Sequence, residues 1–171
     1  CLLDNNGNLV NLENINLKKK KCIFEKSSEV KRRFANIISD YQIDNEVAIS
    51  IEEAFQSFSR GFSSAKTLQQ LSRFNGIVSY LAYESFSVNP VYINVNSARK
   101  NLQIKLDKKS NISTKEQIFQ WVKEREEFKW PTKVLKSGPN KGLVKFEESC
   151  YDMSDAYIIC KAYLYNEKSN N

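Results

Sequence analysis

The period of the apolar positions changes several times along this chain, and each change marks an element. Leu2 and Leu3, then Leu9, Val10 and Leu12, flank Asn5-Asn6-Gly7, a pattern that predicts an antiparallel hairpin turning at Asn-Gly. Lys18 to Lys21 is a short basic run that reads as a solvated loop or strand end. Val30, Phe34, Ile37, Ile38 and Tyr41 then recur at helical spacing behind Ser27 and Ser28. They predict a helix capped by one of those serines and running to about Tyr41. From Glu46 to Phe55 the period becomes two, with Val47, Ile49 and Ile51 on one face and Ala48, Ser50 and Glu52 on the other. That predicts a buried strand of an α/β sheet with Glu52 at its carboxyl end, where open α/β sheets place their chemistry, and Glu53 directly after it.

Phe55 to Ser64 holds three phenylalanines, Phe55, Phe58 and Phe62, together with Arg60 and Gly61. A loop so aromatic and polar at once suits stacking on unpaired bases, or its rings fold back on the core. Leu68, Leu71, Phe74, Ile77, Val78, Leu81 and Ala82 predict a long helix from Ser64 to Phe86 with a broad apolar face. A strand is expected over Pro90 to Val95. Ser97 is expected to cap a short helix from Ala98 to Ile104, which puts Arg99 and Lys100 in a first turn, against the helix dipole. Ser113-Thr114-Lys115-Glu116 forms a capping box for a helix through about Phe128, with Ile118, Trp121 and Val122 turned inward and Lys115 in its first turn. Trp130 to Lys145 reads as a basic loop or hairpin. The last helix carries Met153, Ala156, Tyr157, Cys160, Tyr163 and Leu164 as its stripe, flanked by Asp152 and Asp155 one turn apart. Two such carboxylates repel unless a cation stands near them, either a divalent metal ion or a Lys or Arg from a neighbouring element. A solvated first turn that complements the helix dipole is the plainer alternative.

Composition narrows the chemistry. A chain of 171 residues, 41% hydrophobic and 27% charged, is expected to be one soluble globular domain. No apolar run is long enough to span a bilayer and no signal peptide is visible. The sequence starts at Cys1 rather than at methionine, so its first residue is not expected to be the natural start. There is no histidine, and Cys1, Cys22, Cys150 and Cys160 form no C-x-x-C pair. His-based nucleophilic catalysis is thereby excluded, a structural zinc site is not expected, and reduced thiols of a cytoplasmic protein fit best. Any catalysis falls to carboxylates, lysines and a metal. The net charge of +6 is concentrated: Arg99 to Lys145 contains 13 Lys/Arg against 5 Asp/Glu, which points to a polyanionic partner such as nucleic acid.

Four segments, in order, resemble the RuvC-type Holliday-junction resolvases of the ribonuclease H-like superfamily. Ile51-Glu52-Glu53-Ala54-Phe55 is similar to that family's Ile-Glu-x-x-Phe segment, and Asp152-Met153-Ser154-Asp155-Ala156 to its closing Asp-x-x-Asp-Ala. Ser64-Ala65-Lys66 through Gln69-Gln70 to Gly76 resembles its dimer-forming helix, while Arg99-Lys100 and Thr114-Lys115-Glu116-Gln117 occupy the places of its two active-site-flanking lysines, with a longer segment between them here. The family's first aspartate lies in an Asp-x-Ser-x-x-x-Thr-Gly-Tyr segment that has no counterpart here. Cys1-Leu2-Leu3-Asp4 aligns with the strand after it, so the opening strand is expected to be missing; Asp4 as the first carboxylate is the alternative.

The resemblance implies an α/β fold, a ribonuclease H-like mixed sheet flanked by helices, spanning residues 1–171 as a single nuclease domain. It implies a magnesium-dependent endonuclease that cuts four-way DNA junctions in recombination and repair as a homodimer, with no membrane partner. Glu52, Asp152 and Asp155 would hold two Mg²⁺ ions, with Mn²⁺ as a substitute. Lys100 or Lys115 would steady charge on the phosphate. Phe55, Arg60, Phe62, Lys66, Arg99, Lys100, Lys105 and Lys115 would contact DNA. Without its opening strand such a chain would be poorly active. Another ribonuclease H-like nuclease, or a binding module of the same fold without catalysis, would share these features. The wealth of Asn, Lys and Ile suggests an AT-rich genome, and hence the cytoplasm of a bacterium or a phage-infected host.

Overall fold

The computed structural model of the chain describes residues 1–43, 47–53 and 65–170. In chain order the elements are β1 (Leu2–Leu3), β2 (Leu9–Asn11), α1 (Ile23–Tyr41), β3 (Ser50–Glu52), α2 (Ala65–Phe86), β4 (Val91–Ile93), α3 (Val95–Asn101), α4 (Thr114–Lys123), β5 (Thr132–Val134), β6 (Val144–Phe146) and α5 (Ser149–Asn170). The architecture is mixed α/β. Among the described residues the strands pair only two at a time: β1 with β2, β3 with β4, and β5 with β6. The chain divides into two compact units, one formed by Ile15–Asn94 and the other by Cys1–Asn14 together with Val95–Asn171. No described helix is long and apolar enough to cross a membrane.

The Ile15–Asn94 unit is built on a strand, a helix and a parallel strand. Ser50, Ile51 and Glu52 lie opposite Val91, Tyr92 and Ile93, a parallel pairing that needs a crossover connection, which α2 supplies. β3 is shorter than the expected Glu46 to Phe55 and half-buried rather than buried, because β4 is its one described strand partner. Glu46, Ala54 and the loop from Phe55 to Ser64, with Phe55, Arg60 and Phe62, lie outside the described residues. Helix α1 starts earlier than the serines suggest. Cys22 is its cap, with the thiol accepting from the Glu25 N–H at 3.5 Å, and Ser27 sits inside the helix, its Oγ donating to the Ile23 carbonyl at 2.8 Å. A thiol seldom caps a helix, which is why the serines were the natural choice from sequence. α1 packs on α2 through buried Val30 and an edge-on contact of Phe34 with Phe86, centroids 5.5 Å apart. Tyr41, expected inside, is exposed at the helix end. Leu71 of the expected α2 stripe is also exposed, and that helix buries Ser79, Leu81 and Ala82.

In the other unit α5 is the central element, with α3 and α4 both packed on it and β1 touching it. Cys150, Ser154, Ile158 and Ala162 follow one another at four-residue spacing and are fully buried. Three of these four side chains are small. The buried arc is therefore centred beside the expected stripe: Met153 and Tyr157 are buried, but Ala156, Cys160, Tyr163 and Leu164 are only half-buried. Ser154 tolerates its burial because its Oγ donates to the Cys150 carbonyl at 2.8 Å.

Helix α4 is shorter than expected, ending at Lys123 rather than near Phe128. Phe119, rather than Trp121, is buried beside Ile118 and Val122. Trp121 is half-buried, with the Arg125 guanidinium stacked 4.0 Å from its ring centroid. Phe119 anchors an edge-on aromatic cluster, with Trp130 and Phe146 both at 5.0 Å and Tyr151 at 6.0 Å. The Asn-Gly hairpin forms as expected, antiparallel, with Gly7 at φ +92° and its N–H donating to the Asp4 carbonyl at 2.9 Å. A second antiparallel hairpin occupies the expected basic loop, with Lys133 opposite Lys145 and Val134 opposite Val144.

Candidate functional site

Asp152 and Asp155 lie in the first two turns of α5, where the helix has just left the β5–β6 hairpin. Asp152 is exposed and Asp155 is drawn toward α3. There the Arg99 guanidinium donates from its terminal nitrogen to Asp155 Oδ1 at 3.2 Å, with side-chain exposures of 18% and 22%. Burial pushes the Asp155 carboxyl above the usual carboxylate range. Arg99 and, more weakly, Lys115 pull it back, while the Asp152 charge adds to the rise. Of the two cations that could relieve the Asp-x-x-Asp repulsion, a neighbouring arginine is thus in place. Arg99 itself is incompletely satisfied: its Nε is buried and meets no acceptor among the described residues.

Arg99 reaches this position because α3 begins at Val95, two residues before Ser97. Val95 and Ala98 are buried in a helix that packs on α5, and burying both favours a helix that starts at Val95. Arg99 and Lys100 consequently fall in its last turn, where positive charge is favoured, so the expected opposition to the helix dipole does not exist for them. The end of α3 is closed by Gln103 at φ +53°, with Gln103 and Ile104 N–H donating to the Lys100 and Arg99 carbonyls. Lys115 does lie in a first turn, that of α4, and is exposed. Ser113 caps that helix, its Oγ accepting from the Glu116 N–H at 3.2 Å. The Glu116 carboxylate, expected to complete the capping box, instead accepts from the Tyr151 hydroxyl at 2.6 Å and raises that phenol's pKa. This bond ties the first turn of α4 to α5 next to Asp152.

One place therefore gathers Asp155, Arg99 and the field of Lys115 from three helices. Lys100 and Lys105 are exposed and stand in no salt bridge among the described residues. In the Ile15–Asn94 unit, Glu52 ends β3 half-buried, and its backbone carbonyl accepts from Asn75 Nδ2 of α2 at 3.0 Å. Lys66 is exposed near the start of α2. Asp4 is committed to its turn: its carboxylate accepts from the Asn8 N–H at 2.7 Å and the Asn8 amide at 2.8 Å, and these bonds lower its pKa.

Sequence reasoning missed Asn75 as the residue that fixes the Glu52 backbone, and it missed the ion pair of Arg99 with Asp155. No local signal announces the second contact. A polar residue on the inner side of α2, next to the otherwise apolar Phe74 and Ile77, was the one hint of the first.

As metal ligands, Asp152 and Asp155 offer hard oxygens one helical turn apart. Mg²⁺ keeps several waters and takes one or two carboxylates, so this donor chemistry fits one such ion, with Arg99 as its competitor for Asp155. Among the described residues no group of three or more His, Cys, Asp or Glu is gathered to hold a metal. Comparison with family models, curated proteins and solved structures gives no match.

Proposed function

We propose that this chain is a structure-selective endonuclease of ribonuclease H-like fold that cuts four-way DNA junctions. The observation that carries the reading is the meeting of the partly buried Asp155 carboxylate with a half-satisfied Arg99 guanidinium, within the field of the first-turn Lys115. Three further features support it. β3 and β4 pair in parallel around a helical crossover with Glu52 at the carboxyl end of β3, as α/β enzymes arrange theirs. Tyr80 and Tyr83 stand exposed around Gly76, whose Cα has open space beside it, a face on which a second α2 could pack in a homodimer. All four cysteines are free, in keeping with the cytoplasm.

Asp152 and Asp155 would hold Mg²⁺ or Mn²⁺. A bound ion of this kind polarises a phosphoryl oxygen and lowers the pKa of its water. The chain's own part is to bind and orient. The exposed Lys115 and Lys100 donate to phosphate oxygens and hold the scissile phosphate against the carboxylates, and the Arg99 guanidinium joins them once it turns from Asp155. A phosphate that draws the guanidinium away from Asp155 frees that carboxylate in the same movement.

Magnesium-dependent cleavage of a synthetic four-way junction by the natural full-length protein is the test. Asp155→Asn should abolish cutting and spare binding. Cutting that survives this change places the chemistry elsewhere. A second reading, a junction-binding module without catalysis, is favoured by the Arg99–Asp155 pair itself, since a guanidinium already meets the carboxylate's need for a cation. It predicts tight binding and no cleavage under any divalent ion.

A further inference from the structure

We infer that the β5–β6 hairpin is a DNA-docking ribbon that lies in the major groove of a duplex arm. The inference rests on the reading that DNA is the partner and is independent of whether the carboxylates cut it. From Trp130 to Phe146 the sequence has four lysines, Lys133, Lys136, Lys141 and Lys145, and no acidic residue. All four are exposed, and none is in a salt bridge among the described residues. Lys133 and Lys145 are direct cross-strand partners. Like charges so placed repel and weaken a ribbon, and no carboxylate of the hairpin relieves them. A polyanion would turn that repulsion into attraction.

The ribbon is firmly rooted. Phe146 and Trp130 at its base pack on Phe119 with centroids 5.0 Å away, Lys123 Nζ lies 4.6 Å over the Phe146 ring, and the Glu147 N–H donates to the Pro131 carbonyl at 3.0 Å. The ladder continues toward the tip through Leu135 N–H to the Leu143 carbonyl at 3.0 Å and Gly142 N–H to the Leu135 carbonyl at 2.9 Å. By the alternation of a strand, Lys133 and Lys145 share one face, while Val134 and Val144 share the face of Phe146. Beyond the base that second face loses its cover, since Val134 and Val144 are exposed; Leu143, near the tip and on the lysine face by the same alternation, is exposed too. A two-stranded ribbon fits a major groove about 12 Å wide, where lysines reach phosphates on the walls and aliphatic side chains meet thymine methyls. Exposed aliphatics and lysines also suit an anionic lipid surface, but three short side chains offer too little apolar area for stable insertion.

The experiment measures binding of a fluorescent duplex and of a four-way junction between 50 and 200 mM salt. It compares the natural protein, the variant K133Q/K136Q/K141Q/K145Q, and the charge-matched control K18Q/K19Q/K108Q/K109Q. The ribbon variant should lose at least about a hundredfold in affinity at low salt, and its log–log salt slope should flatten by about 3 to 4, while the control changes little. Amides of β5 and β6 should also gain hydrogen-exchange protection when DNA is added to the unmodified protein, a readout that does not depend on any variant folding. Equal losses in both variants, no loss in the ribbon variant, or no protection of the hairpin would overturn the inference while leaving junction binding intact. Binding to phosphatidylserine vesicles but not to DNA would overturn it in favour of a membrane. Absence of all DNA binding by the natural protein would remove both this inference and the proposed function.

Discussion

Removing either partner of the Arg99–Asp155 pair should reveal what it contributes to the fold. At 3.2 Å the gross attraction is about 5 kcal/mol if the effective dielectric is near 20. Desolvation offsets it, since burial is the largest influence on Asp155 and holds its carboxyl above the usual range even with Arg99 present. The intact pair is thus close to neutral for stability, but breaking it is not. Exposed pairs are worth about 0–1 kcal/mol, and breaking a buried pair costs about 3–5. With a fifth of each side chain still exposed, the expected cost lies between these limits. Arg99→Gln, which strands a charged carboxylate beside Asp152, should cost about 2–3 kcal/mol. Asp155→Asn, which keeps an acceptor for the guanidinium, should cost about 1–2 kcal/mol, and the double variant should cost less than the sum.

Urea unfolding of the four proteins in the cycle measures this directly. The pH dependence adds a second check. A carboxyl whose folded pKa is raised binds its proton more tightly in the folded than in the unfolded state, so ionising it costs stability. That cost appears as pH rises from the unfolded through the folded pKa, and it is relieved as pH falls back. Arg99→Gln removes the main influence lowering the Asp155 pKa, so its stability deficit should be fully present at neutral pH and shrink as pH falls through the raised folded pKa toward the unfolded one, whereas the Asp155→Asn deficit should lack this component. Single-variant costs that add within about 0.5 kcal/mol, or an Arg99→Gln deficit independent of pH, would refute the account.

Three further outcomes follow from the packing. Phe119→Ala, at the centre of the aromatic cluster, should destabilise the protein by about 3–5 kcal/mol in urea unfolding. Cys22→Ser replaces a weak thiol acceptor at the α1 N-cap with a hydroxyl and should stabilise by about 0.5–1 kcal/mol, read as a higher urea midpoint. Gly7→Ala should cost about 1–2 kcal/mol through backbone strain at φ +92°, because a Cβ there would meet Leu164 Cδ1 at 3.6 Å and Lys161 Nζ at 3.8 Å, both ordinary contacts. A thermal melt unchanged by that substitution would place the cost elsewhere.

The amino-acid sequence by itself determined the features that depend on neighbours a few residues apart. Asn5-Asn6-Gly7 sets the first hairpin, Ser113 caps α4, the apolar spacing from Leu68 to Ala82 makes α2 a long helix, and the Gly- and Lys-rich run after Trp130 folds into a ribbon. Each rests on a backbone preference or a hydrogen bond that the local residues complete alone. Tertiary structure decided whatever depends on distant partners. α3 starts at Val95 because Val95 and Ala98 bury, which reverses the meaning of Arg99 and Lys100 from dipole-opposing to dipole-favoured. The buried arc of α5 is centred on small residues because two helices pack on it, not one. Above all, the cation that answers Asp155 comes from 56 residues away. Sequence spacing could state that the two aspartates need a positive charge, but only packing could say that an arginine supplies it.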